Sequence, residues 1–144
     1  MGKLLLVLAF VFTTSLMADE IHWAKDYQEG MVQAQKEHKP VLFIISSHSC
    51  KYCLLLDKTT LKDEKVVQKI NKNFIAVRSW TDKRDYIPAV LAQNTPGLPG
   101  IWFLLPNGDP MFQPLLGYAK KDVFLQALEI VQKEFNTNQK RVKK

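Results

Sequence analysis

Cysteine is nearly absent: the 144 residues contain two, Cys50 and Cys53. That excludes a domain stapled by several bridges, the usual device of small exported folds. A bridge across so short a loop would restrict the unfolded chain little, so a purely structural role fits the pair badly. A long hydrophobic run is also missing. Leu4 to Phe12 is apolar, but a spanning helix needs ~20 such residues. Charge of one sign is missing from the body of the chain. The net charge is +6, yet Lys3, Lys140, Arg141, Lys143 and Lys144 supply five of the 20 basic residues, and the remaining 15 face 14 acids. A nucleic-acid surface is therefore not expected, and the basic end from 136 to 144 reads as a flexible, solvated tail. Repeats, low-complexity segments and internal linkers are lacking too.

What is present is globular. Hydrophobic residues make up 47% and charged residues 24%, and the length suits one domain with a real core. Residues 1–18, "MGKLLLVLAFVFTTSLMA", have a charged start, an apolar centre and a small final residue. That is the layout of a secretory signal peptide, with the mature chain expected from Asp19 to Lys144. No cysteine follows the apolar run directly, so a lipid-anchored form is not expected. The expected location is a bacterial periplasm.

Periodicity predicts the elements. Trp23, Tyr27, Met31 and Ala34 mark a helix from Trp23 to Lys36, weakened by Gly30. "VLFII", Val41 to Ile45, is a strand buried on both faces. "LLLDKTTL" and "DEKVVQKINKN" read as helical, the latter capped by Asp63 with Val66, Val67 and Ile70 inward. "FIAVRSW" is a second strand, and "RDYIPAVLAQN" a short helix. "IWFLL" is a third strand, joined through the "PNGD" turn to a returning strand "PMFQPLLGY", whose Pro110 and Pro114 put it at an edge. Phe124, Ala127, Leu128, Val131 and Phe135 mark a closing helix.

The two cysteines therefore fall where a buried strand ends and a helix begins. A helix start presents unpaired N–H groups and the positive end of its dipole, which stabilise a thiolate. Cys50 is the expected nucleophile, with Lys51 adding positive charge. Cys53 follows one turn later on the same face, placed to resolve a mixed disulfide formed at Cys50. Two other readings stay open. Cys50, Cys53 and His48 could deliver copper(I), although His22 and His38 show no zinc-ligand spacing. A peptide-binding module without catalysis is the other.

"KPVLFIISSHSCKYC", "FIAVRSW" and "GLPGIWFLLPNGDP" together resemble the thioredoxin superfamily, in particular its exported branch with a C-x-x-C motif. The resemblance covers about Trp23 to Phe135. It implies a thioredoxin-like α/β fold, with a central mixed β-sheet flanked by α-helices. It also implies a cis Pro99 beside the cysteines, with the Leu98 backbone holding a bound peptide, and contacts from Lys51 and Tyr52. Pro96 lies too far from the "PNG" turn to take that role. The expected activity is thiol–disulfide exchange, leaning to reduction, without a cofactor. Expected partners are protein thiols and disulfides and a membrane-bound redox donor, with no nucleic acid, and the chain is expected to be a monomer. The sequence departs from thioredoxin at Ser49, at Lys51-Tyr52 and at Ile44, where thioredoxin carries Trp, Gly-Pro and a buried acid.

Overall fold

The computed structural model describes residues 19–142; the expected signal peptide lies outside the described residues. Four strands form a mixed sheet in the order β2-β1-β3-β4. They are β1 (Val41–Ser46), β2 (Ile75–Trp80), β3 (Gly100–Leu104) and β4 (Leu115–Leu116). β1 is parallel to β2 and antiparallel to β3, and β4 is antiparallel to β3. Helices α1 (Tyr27–Glu37), α2 (Lys51–Lys58), α3 (Glu64–Asn73), α4 (Ala89–Gln93) and α5 (Lys121–Val142) cover both faces. The fold is thioredoxin-like.

The continuous apolar run of β1 is explained by this cover, because all six of its residues are buried. Alternation sends Leu42 and Ile44 to one face, where they meet Leu56, Val66, Ile70, Phe124 and Leu128. Val41, Phe43 and Ile45 go to the other, against Ala34, Val77, Leu91 and Trp102. α3 is capped as expected: an Asp63 carboxylate oxygen accepts the N–H groups of Lys65 and Val66. Gly30, which weakens α1 by propensity, is explained by packing. A Cβ there would collide with the Val77 side chain on β2.

Five expectations change. α1 starts at Tyr27, because Asp26 caps it through a 2.8 Å bond to the Glu29 N–H, and Trp23 instead bridges to Ala76 at the sheet edge. The segment "LLLDKTTL" is split between α2 and a 3-10 turn, Thr60–Lys62. α4 begins only after Pro88, since a residue before proline is driven out of helical geometry. The returning strand is broken: Leu104 bridges to Pro110 and only Leu115–Leu116 then form a ladder, because the prolines have no N–H to give. At the C-terminus, the expected flexible tail continues α5 to Val142. No Gly or Pro interrupts the helix after Phe135, and the Thr137 hydroxyl folds back onto the Lys133 carbonyl at 2.9 Å.

Candidate active site

The polypeptide leaves β1 at Ser46 and turns through Ser47, His48 and Ser49. Ser47 organises the turn. Its hydroxyl accepts the Ser49 N–H at 3.3 Å and lies 3.0 Å from the Ser49 hydroxyl, while its carbonyl accepts the Cys50 N–H at 3.3 Å. Cys50 is thereby set as the N-cap of α2 in extended geometry. Its sulfur accepts the backbone N–H of Cys53 at 3.2 Å, and its carbonyl takes the first helical bond from Leu54 at 3.1 Å. The sulfur occupies the place that a Ser or Asp oxygen usually fills, where negative charge is favoured.

The two sulfurs differ in access. Cys50 is half-buried, and Cys53 is 1% exposed; both are free thiols. Burial pushes the Cys53 thiol up from its ordinary value, and the contact with Cys50 adds to this. Hydrogen bonds to the Ser46 side chain and Ser47 backbone pull the other way without cancelling it. Lys51 and Tyr52 are exposed on the first turn, and Leu54 and Leu55 add partly exposed apolar surface beside them.

Leu98 and Pro99 approach the same end of the sheet. β3 runs antiparallel to β1, with Gly100 opposite Ile45, so the residues just before β3 lie where β1 ends and the cysteine turn begins. The Leu98-Pro99 bond is cis. Pro99 is buried, its carbonyl accepts the Gly117 N–H at 2.9 Å, and Leu98 packs on the cluster that contains Ile45 and Trp102.

The hydrogen bonds of His48 go to Asp82. Its Nδ1 lies 2.8 Å from Asp82 Oδ2, and its ring stacks on Trp80 at 3.8 Å between centroids. The partial burial of Asp82 acts to raise its pKa, but the side-chain and backbone bonds from His48 outweigh that and hold the carboxyl below its usual range. Among the described residues, no three His, Cys, Asp or Glu side chains gather as metal ligands would.

Sequence reasoning missed a second cluster. Arg78 on β2 lies opposite Ile44 in the parallel ladder. Its guanidinium sits 4.0 Å from the Trp23 ring centroid and 4.9 Å from that of Trp80. It forms a two-pronged pair with Asp57 of α2, Nη2 to Oδ1 at 2.8 Å and Nη1 to Oδ2 at 3.3 Å. Burial pushes the Asp57 carboxyl up, and the Arg78 guanidinium offsets this only in part. The signal was available: a charged residue within the strand run "FIAVRSW" requires a partner.

Three similarities bear on this site. Anterior gradient protein 3 of Mus musculus is 31% identical over 81 residues, 51% of this chain and 49% of that protein. The chain spans about half the length of the curated relatives first matched. A thioredoxin from Thermus thermophilus superposes with a TM-score of 0.64 at 25% identity, over 80% of this chain and 88% of that one. The oxidised C-terminal domain of DsbD from Neisseria meningitidis superposes with a TM-score of 0.55 at 28% identity, over 71% of this chain and 90% of that one. The family model described as a thioredoxin-like domain matches residues 27–132. The chain, with its C-x-x-C at a strand-to-helix junction and its four-stranded mixed sheet, belongs to the thioredoxin-like domain family.

Proposed function

We propose that the protein is a thiol–disulfide oxidoreductase acting on protein substrates, with Cys50 as nucleophile and Cys53 as resolving thiol. The observation that carries this reading is the pairing of a half-exposed sulfur at the N-cap of α2 with a buried one a turn later, joined by the bond from the Cys53 N–H. In the reducing direction the Cys50 thiolate attacks one sulfur of a substrate disulfide. A mixed disulfide forms, and the other substrate sulfur leaves as a thiolate and takes up a proton. Cys53 then loses its proton and attacks the Cys50 sulfur. The Cys50–Cys53 disulfide forms as the second substrate sulfur leaves as a thiolate and is protonated. Two electrons have passed from the dithiol to the substrate. Of the two protons gained, one comes from Cys53 and one from solvent, which took the Cys50 proton on ionisation.

Leu98 and Pro99, at the same end of the sheet, are assigned to substrate docking together with the exposed Lys51 and Tyr52. Reduction is the assigned direction, because among the described residues only a 3-10 turn and α3 separate α2 from β2. The leader-like composition of residues 1–18 supports a periplasmic location, where re-reduction falls to a membrane-embedded donor. The test is a trap. The Cys53→Ala variant, mixed with a disulfide-bonded protein, should accumulate a mixed disulfide on Cys50 that Cys50→Ala lacks. Failure to form it would overturn the assignment.

A further inference from the structure

Resolution requires Cys53 to lose a proton from a buried site, and Ile44, which faces the same side of the sheet from β1, has no group to take it. We propose that Asp57, held by Arg78, is the proton acceptor for Cys53. This rests on the exchange reading above and adds a named acceptor to it.

The placement comes from two elements. Cys53 and Asp57 are four apart on α2, so they share a helix face with Cβ atoms about 5–6 Å apart. Arg78 projects from β2 onto the sheet face that α2 covers, opposite Ile44. A Cys53 thiolate favours the Arg78 guanidinium, so the sulfur and the ion pair are within electrostatic reach of each other. Burial still holds the thiol up, so the guanidinium alone does not release the proton.

Asp57 suits the role. Its burial makes it a stronger proton acceptor than a solvated carboxylate, while the two bonds from Arg78 fix its orientation. The other charges facing it are His48 from the turn before α2 and Lys62 from the 3-10 turn. Glu20, across the cleft, is paired with Lys62 at 2.8 Å. Asp57 and Arg78 both line this cleft of about 220 Å³, which opens to solvent. The Cys53 proton passes to the Asp57 carboxylate, directly or across one water. The Cys53–Cys50 bond forms as the Cys50–substrate bond breaks, and the substrate sulfur leaves with the electron pair. Asp57 then returns the proton to solvent through the cleft.

The test uses the full-length protein reduced and mixed with a chromogenic aromatic disulfide in a stopped-flow instrument. The first release of aryl thiolate reports attack by Cys50, and the second reports resolution by Cys53. Asp57→Asn should slow the second phase about 10²-fold at pH 7. The gap should close at alkaline pH, where hydroxide has already removed the proton. A second phase that is unchanged, or slowed equally at every pH, overturns the assignment while leaving the exchange reading intact. A wild-type protein with no first phase overturns the exchange reading itself, and this inference with it. A measurement on the unmutated chain guards against a variant that does not fold. The Asp57 carboxyl, followed by carbon-13 resonance, should titrate at different pH in the dithiol and disulfide forms. Identical titrations would overturn the inference.

Discussion

The Cys50 sulfur and the Cys53 backbone N–H are 3.2 Å apart, so the nucleophile caps the helix that carries its own resolving partner. Access then separates the two thiols, with Cys53 only 1% exposed. Iodoacetamide at neutral pH should modify Cys50 alone in the folded protein, and Cys53 only after unfolding. Peptide mass analysis of the labelled chain checks this.

The same burial ties stability to pH. The folded thiol of Cys53 titrates above its unfolded value, because burial disfavours the thiolate. Its contribution is therefore complete below the unfolded value, about 8.5, and is lost as pH rises through the higher folded one. Urea midpoints of the reduced protein should fall across that alkaline window. Cys53→Ser, which has no titrating thiol there, should show a smaller fall.

Gly30→Ala should destabilise the fold although alanine is the better helix former by ~1 kcal/mol. The added methyl would strike Val77 in the buried sheet, and overpacking of this kind costs ~1–3 kcal/mol. Thermal unfolding would show a lower midpoint. An unchanged or raised midpoint would mean that α1 can lift from β2 without penalty.

Arg78 lies against Trp23, 4.0 Å from its ring centroid, and this contact also fastens the N-terminal segment to the sheet. Trp23→Leu keeps apolar bulk but removes the ring, and should cost roughly 1–2 kcal/mol for a cation–π contact that is largely desolvated. Chemical denaturation of the variant measures it.

Thr60 is 1% exposed, and its hydroxyl donates to the Ala119 carbonyl at 2.7 Å. Thr60→Val preserves shape and removes the donor, so the carbonyl loses this bond at a cost of ~1–3 kcal/mol. Thr60→Ser should retain most of it. Equal stability of the valine and serine variants would show that the bond contributes nothing.

Much of this arrangement is legible in the chain. A run such as "VLFII" has no polar alternation, so it has to be covered on both faces, and α1 and α4 on one side and α2, α3 and α5 on the other provide that. The strand-to-helix position of Cys50 follows from the same run. What periodicity cannot convey is pairing across distance. Arg78 looks like an interruption of β2 until the ladder sets it opposite Ile44 and α2 brings Asp57 to it. His48 reads as a neighbour of the cysteines, yet its bonds go to Asp82, 34 residues away. Trp23 fits a helical spacing as well as Tyr27 does, and only its bridge to Ala76 takes it out of α1.

The margins of the sheet have a consequence for self-association. On the β2 side, the outward backbone positions alternate with those bonded to β1. Ala76 O already accepts the Ala24 N–H at 2.8 Å, and the Trp80 N–H donates to the Asp85 carboxylate at 2.9 Å. On the opposite side β4 is two residues long and is preceded by Pro114. Neither margin offers a foreign strand a continuous row of free donors and acceptors, the usual seed of edge-to-edge aggregation. A chain with one thiol, Cys50, open to passing polypeptides is thus guarded against capturing them by its backbone.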